Sequence, residues 1–132
     1  MVPDLPPFEL GYARTPLRRK LVDAVLRGAK TATAGLHGDE PLPAPGQRFL
    51  LLDFDDRPVA VVETTEVRIL RVDEVDFRFA RDEGEGFETV ADWRAAHERF
   101  WSNRDIRDDT LVVAERFRLI ERIEFPADGD RA

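Results

Sequence analysis

The sequence contains no cysteine, and only two of its twenty basic residues are lysines, Lys20 and Lys30. The absence of cysteine excludes disulfides and thiolate metal sites and is typical of proteins from a reducing compartment. No apolar run approaches the length that spans a membrane, and the N-terminus lacks a signal-peptide pattern. We therefore expect a cytoplasmic protein without membrane contacts.

Basic residues are also outnumbered, because 27 acidic residues give the chain a formal net charge of −7 at pH 7. Proteins that bind long nucleic acids usually present a basic surface. The negative charge weighs against tight binding of a phosphate backbone, although a local basic patch is compatible with it. It is equally compatible with a small neutral or cationic substrate and with solubility alone.

The length of 132 residues predicts one domain. We place this domain at residues 8–125. Residues 1–7, which hold three prolines, are predicted to form an N-terminal arm, and residues 126–132 a polar C-terminal tail.

The first predicted helix begins at Thr15-Pro16, where a hydroxyl precedes a proline, as at many helix N-termini. Leu21 and Val25 continue an apolar stripe at helical spacing, and Gly28 is predicted to end the helix in a left-handed conformation. The segment after Gly28 is therefore expected to enter a strand.

Farther along the chain, strands predominate. Residues 48–54 and 59–71 are predicted to form an antiparallel hairpin, and residues 110–123 the last strand. A short helix is predicted over residues 73–81, and Thr89 is expected to cap a second long helix. Since strands mainly follow strands, the pattern predicts an α+β fold, a small antiparallel β-barrel flanked by helices.

Alternation in the last strand places a carboxylate among apolar positions. The residues predicted to share one apolar face are Leu111, Val113, Phe117 and Leu119. Glu115 is in phase with them. Because an isolated buried carboxylate is costly, we expect a lysine or arginine partner for Glu115.

Lys30 is the first candidate for chemistry, because burial can lower an amine's pKa until it acts as a base, whereas a guanidinium stays protonated. A neutral amine could deprotonate the hydroxyl of Thr33, but residues three apart in a regular strand face opposite ways, so this pair requires a bend after Gly28. Alternatively, the threonines at 31 and 33 have no chemical role, because β-branched residues such as Thr31 are common in strands. Alternatively, Lys30 caps a helix end.

Two carboxylates, Glu83 and Glu85, flank a glycine and could supply a general acid or hold an amine, or they could be solvated loop charges. One side of the second long helix carries Trp93, His97, Phe100 and Trp101. The two tryptophans and Phe100 are predicted to be core residues or, at a pocket rim, to stack a nucleobase. His97 is predicted to be a hydrogen-bonded core or rim residue, with a ligand role as the alternative. The two histidines lack the spacing of a zinc site, so we predict no metal.

The order of these motifs resembles the ASCH domain family of the PUA-like superfamily, over residues 8–122. The resemblance rests on the Gly28–Thr33 segment, the proline-glycine turn and hairpin, the acidic loop at 83–86, the Trp93 helix and the final strand. It implies a PUA-like barrel. The family signature has an arginine where this chain has Gly35.

The resemblance also implies functions. ASCH domains are regarded as RNA-related; some small members deacetylate acetylated cytidine, and others are reported as ribonucleases. By analogy, Thr33 would be the nucleophile, Lys30 its base, and Glu83 the carboxylate that orients the amine or assists the leaving group. Candidates for substrate contacts are Thr31, Glu85, Trp93, His97 and Trp101.

Three functions remain open at this point: a hydrolase of an acylated nucleoside, a non-catalytic RNA-binding module, and a metal-dependent ribonuclease. The expected partner is a nucleoside or RNA. No cofactor is implied.

Overall fold

The computed structural model describes residues 2–124, so residue 1, residue 125 and the whole predicted C-terminal tail, residues 126–132, lie outside it. A 3-10 turn, Val72–Glu74, lies between the fourth strand and the second helix. The elements in chain order are β1 (Pro7–Phe8), α1 (Pro16–Leu26), β2 (Ala32–Leu36), β3 (Arg48–Leu52), β4 (Pro58–Arg71), α2 (Phe77–Asp82), α3 (Val90–Phe100) and β5 (Leu111–Arg122).

The strands form one sheet in the order β1-β3-β4-β5-β2. All pairs are antiparallel except β1 with β3, which are parallel, so the predicted N-terminal arm ends as a short edge strand. Register shifts in the long β4–β5 pair bend the sheet, because an extra residue on one strand increases the local twist. The result is a curled half-barrel, which confirms the predicted α+β fold.

Helix α1 begins as the sequence predicts. The Thr15 hydroxyl accepts a hydrogen bond from the Arg18 backbone N–H at 3.1 Å, and Gly28 follows the helix with φ +84°. The apolar stripe of α1 packs on one face of the sheet. That cluster contains Phe8, Leu10, Leu21, Val22, Val25, Leu51, Ala60, Val62 and Phe117.

Helices α2 and α3 cover the other face and enclose a second cluster, which contains Ala32, Leu36, Val72, Val75, Phe79, Ala80, Trp93, Trp101, Val112 and Ala114. The middle of β5 therefore contributes side chains to both clusters. The predicted apolar face of β5 is wrong at its ends, because Leu111 is 44% exposed and Leu119 is 37% exposed. Because both faces of β5 are packed against helices, apolar residues do not alternate strictly with polar ones along this strand.

The helix predicted over residues 73–81 is divided in two. Val72–Glu74 forms the 3-10 turn, and α2 starts anew after Asp76, whose carboxylate accepts a hydrogen bond from the Phe79 N–H at 2.9 Å. A fresh N-cap interrupts the helix because its side chain replaces a backbone acceptor. As a consequence α2 ends at Asp82, directly before the acidic loop.

Arg18 is fully buried, although a charged side chain is expected to be exposed. Its guanidinium donates to the carbonyl oxygens of Leu10, Gly11 and Asp53 and to the carboxylate of Asp56. Arg18 thus joins the N-terminal segment and the β3–β4 turn to α1. The signal was present, because Arg18 is in helical phase with the apolar stripe of α1.

None of the helices within residues 2–124 has the length and apolar character needed to cross a membrane.

Candidate active site

Lys30 is buried at the point where the chain leaves α1 and approaches β2, with 2% of its surface exposed. The backbone N–H groups of Ala29 and Lys30 both bond to the Ala24 carbonyl, which fixes the exit from the helix. The Lys30 amine donates to the carbonyl oxygens of Ala32 at 2.8 Å and of Glu83 at 3.2 Å. Two backbone acceptors therefore determine where this amine lies.

The acidic loop packs directly against the backbone of the lysine segment. Gly84 has φ +71°, and a Cβ at this position would lie 2.6 Å from the Ala29 carbonyl oxygen and 2.7 Å from the Lys30 nitrogen. The Thr31 N–H also donates to the Asp82 carbonyl at 2.8 Å. Only glycine permits this approach, and it brings the loop carboxylates to the amine.

Glu83 is the main partner of Lys30. Its side chain is 1% exposed, and its Oε1 atom lies 3.5 Å from the Lys30 Nζ. Burial alone would raise the pKa of Glu83, but the hydrogen bond with His97, the charge of Lys30 and the Trp93 indole together hold that pKa below its ordinary value. Glu83 is therefore a buried, ionised carboxylate.

Trp93 and His97 extend the cluster from α3. The Trp93 indole N–H donates to Glu83 Oε2, and His97 Nε2 lies 3.5 Å from the same oxygen. The two rings stack with centroids 4.2 Å apart, and His97 Nδ1 lies 2.9 Å from the Trp93 carbonyl oxygen. Burial opposes protonation of His97, but the bond and charge of Glu83 raise its pKa.

These positions correct the prediction that a tryptophan lies at a pocket rim. Trp93 is fully buried, and Trp101, 7% exposed, packs edge-on against His97 with centroids 5.1 Å apart. Both side chains belong to the core, which was the other prediction made for them, but that prediction is wrong for Phe100, which is 48% exposed. His97 is likewise a hydrogen-bonded core residue.

Glu85 lies at the outer side of the cluster. Its side chain is 17% exposed, and its Oε2 atom is 3.8 Å from the Lys30 Nζ. Burial raises the pKa of Glu85; the charge of Lys30 opposes this rise, and the neighbouring Glu83 carboxylate adds to it. The loop thus holds one ionised carboxylate and one that retains its proton to higher pH.

Thr33 is not brought to this cluster. It lies within β2 and pairs with Glu115 on β5, whereas Ala32 and Leu36 belong to the apolar cluster under α2 and α3. Since successive strand residues face opposite sides, the Thr33 side chain points away from this apolar cluster. Thr31 is exposed just before β2.

Glu115 has a hydroxyl partner where the sequence predicted a cation. The Thr64 hydroxyl donates to Glu115 Oε2 at 2.6 Å, and within residues 2–124 Glu115 forms no ion pair. Burial raises the pKa of Glu115, and the Thr64 bond lowers it only in part. The prediction failed because a raised pKa favours the neutral form of the Glu115 carboxyl, and a neutral carboxyl needs no cation.

A groove of about 260 Å³ borders the cluster. Arg116, which was not among the predicted site residues, lines this groove and donates a hydrogen bond at 2.7 Å to the carboxylate of Asp82, the residue before Glu83. Neither this groove nor a second one of about 320 Å³ is lined by Lys30, Glu83 or Glu85. Within residues 2–124 no metal-binding group of three His, Cys, Asp or Glu residues occurs. The first groove is lined by Glu66, Arg68, Leu70, Glu74, Asp76, Arg78, Phe79, Ala114 and Arg116.

The protein is thus a curled α+β half-barrel in which buried ionisable groups, a lysine and its carboxylate partners, lie at one end of the edge strand β2. The sequence profile of the ASCH domain matches residues 11–121. The chain therefore belongs to the ASCH domain family.

Solved structures of similar proteins agree with this assignment. An ASCH domain from Lactobacillus crispatus is 26% identical, with a TM-score of 0.78 over 89% of this chain and 80% of that one. Protein EF3133 from Enterococcus faecalis is 28% identical, with a TM-score of 0.76 over 92% and 78%. The ASCH protein from Zymomonas mobilis, 15% identical with a TM-score of 0.54 over 80% and 68%, shares the fold alone. No curated protein matches the chain.

Proposed function

We propose that this protein is a small ASCH-type amidohydrolase that acts on an acylated nucleoside such as acetylated cytidine. The observation that carries the proposal is the buried contact between Lys30 and Glu83, which lie 53 residues apart in the chain. Perturbed ionisable groups held together by the fold are more typical of functional sites than of ordinary surfaces.

The residues divide the chemistry among them. Lys30, in its neutral form, is the base that the family resemblance implies, and Glu83 orients its amine from 3.5 Å. Thr33 remains the proposed nucleophile from the same resemblance. Since Lys30 donates to the Ala32 carbonyl, the start of β2 must turn before the Thr33 hydroxyl can reach the amine. Movement of the acidic loop would open the buried cluster to substrate.

The test is hydrolysis of a panel of acylated nucleosides by purified wild-type protein, Lys30→Ala and Lys30→Arg. We expect both variants to lose at least about 100-fold in kcat/KM, in the range of general-base catalysis. Lys30→Arg keeps the positive charge, but a guanidinium does not release its proton at neutral pH.

The matched control for this series is Lys20→Ala, which changes the only other lysine, exposed on α1, and is expected to keep wild-type activity. Far-UV circular dichroism establishes that each variant is folded. Full activity of folded Lys30→Arg would refute the base role.

The nucleophile is tested separately, with Thr33→Ala and Thr33→Ser. We expect Thr33→Ala to lower kcat at least about 100-fold and Thr33→Ser to retain most activity, because serine keeps the attacking oxygen. Mass spectrometry of the quenched reaction should detect an acyl group on the wild-type chain only. An active Thr33→Ala variant would show instead that a water molecule attacks the acyl carbon.

One observation favours the alternative of an RNA-binding module. Three arginines, Arg68, Arg78 and Arg116, line the groove beside the cluster. Three carboxylates line the same groove and balance their charge, which weakens its attraction for a phosphate backbone. We therefore rank this function second.

A further inference from the structure

The two carboxylates of the acidic loop differ in how fully they are engaged. Glu83 has both oxygens occupied, because Oε1 lies beside Lys30 while Oε2 receives the Trp93 indole N–H and faces His97. Its side chain is 1% exposed. A carboxylate held in this way can position an amine, but its burial keeps it away from a substrate.

Glu85 is arranged differently. It approaches Lys30 with one oxygen, at 3.8 Å, and 17% of its side chain reaches solvent. It is therefore the member of the cluster that a substrate meets first. The ionisable groups that act on it are Lys30 and Glu83 from the two packed segments and His97 from α3.

The electrostatic environment of Glu85 suits a proton donor. Its pKa is raised by burial and by the adjacent Glu83 carboxylate, although Lys30 opposes the rise. A general acid must hold its proton at the working pH and still be able to release it. Glu83, whose pKa is lowered, is already ionised and cannot fill this role.

We propose that Glu85 is the general acid of the amide hydrolysis and that Glu83 is a positioning residue for Lys30. This inference rests on the proposed function and assigns the leaving-group step to one side chain. When the tetrahedral intermediate collapses, the C–N bond breaks, its electron pair passes to the exocyclic nitrogen of the base, and that nitrogen takes the Glu85 proton. Water then attacks the acyl carbon, the bond from that carbon to the Thr33 oxygen breaks, and the Thr33 oxygen recovers the proton that Lys30 had taken. The attacking water passes its proton to Glu85, so the sum is amide plus water to acid plus amine.

The test compares two substrates that differ in their need for a proton: acetylated cytidine, an amide, and para-nitrophenyl acetate, whose phenolate departs without one. We expect Glu85→Gln to lose at least about 100-fold in kcat/KM on the amide and less than about threefold on the ester. Glu83→Gln should lose activity on both substrates, because Lys30 serves both.

The pH dependence of kcat separates the two roles. Since a general acid must be protonated, wild-type activity on the amide should fall as pH rises through the pKa of Glu85. Glu85→Gln should lack this alkaline limb, whereas the residual activity of Glu83→Gln should keep the limb but shift it to lower pH, because the Glu83 charge no longer raises the pKa of Glu85. Equal losses of Glu85→Gln on amide and ester would overturn the proposal.

The protonation state of Glu85 can be measured without any substrate, so this inference can be tested separately from the proposed function. Infrared difference spectra at neutral pH should show the C=O band of a protonated carboxyl. Glu85→Gln should remove this band, and Glu83→Gln should weaken it, because loss of the Glu83 charge lowers the pKa of Glu85. Glu115→Gln identifies any second band, because burial also raises the pKa of Glu115. If the wild type hydrolyses neither substrate, the proposed function fails and this band alone decides whether Glu85 holds the proton; no band would overturn the inference.

Discussion

Glu83→Ala is expected to lower the free energy of unfolding by about 3–5 kcal/mol, the range found when one partner of a buried ion pair is removed. The variant leaves the Lys30 amine buried beside Glu85 as its remaining carboxylate neighbour, and it deprives the Trp93 indole N–H of its acceptor. Urea denaturation at neutral pH, followed by tryptophan fluorescence and circular dichroism, measures the change.

Two controls make this result specific. Glu121→Ala removes an exposed carboxylate from β5 and should change stability by less than about 0.5 kcal/mol. The double variant Lys30→Met/Glu83→Gln should cost less than the sum of its single changes, because no unpaired charge remains. A loss below about 1 kcal/mol for Glu83→Ala would show that the pair is not a buried interaction.

The loss of stability caused by Glu83→Ala should depend on pH. Because the pKa of Glu83 is lowered by folding, its contribution is present above the ordinary carboxyl pKa and is lost as pH falls through the folded value. The difference in the free energy of unfolding between the wild type and Glu83→Ala should therefore become smaller as the pH is lowered.

Gly84→Ala is expected to destabilise the protein more than Gly86→Ala, although both glycines have positive φ, +71° and +87°. Around Gly86 a Cβ meets nothing within 4 Å, so alanine there bears only the left-handed backbone cost of about 1–2 kcal/mol. At Gly84 the same Cβ would lie 2.6 Å from the Ala29 carbonyl oxygen, so the loop must move away from Lys30. We expect a cost of at least about 3 kcal/mol.

Thermal and urea unfolding of the two glycine variants measure this difference, and activity assays should show a larger loss for Gly84→Ala. Equal stabilities would mean that the loop does not pack on the lysine segment in solution.

Much of the fold was predictable where local chemistry determines local structure. The hydroxyl and proline at Thr15-Pro16 and the left-handed Gly28 mark the ends of α1 because caps are local interactions. The faces of β5 were not predictable in the same way. Whether Val112 or Phe117 is covered depends on helices distant in the sequence, and the strand is covered on both sides.

The site was predictable as a set of residues but not as a geometry. Lys30 was notable as a lysine among arginines, yet nothing local indicated that Glu83, rather than solvent, would accompany it. That pairing depends on the ending of α2 and on the close packing of Gly84. Thr33 shows the limit of a motif, because family spacing implies a pair with Lys30 while strand alternation directs Thr33 toward Glu115.

The hydrogen bonds that hold the Lys30 amine have a consequence for how sequences of this kind diverge. Its two closest acceptors are the main-chain oxygens of Ala32 and Glu83, which every amino acid possesses. An exposed neighbour such as Thr31 can therefore drift during evolution without displacing the amine, whereas a substitution that alters the path of the chain displaces it at once. Selection at this end of the half-barrel should therefore act on the path of the backbone, and position 84 should tolerate few residues other than glycine.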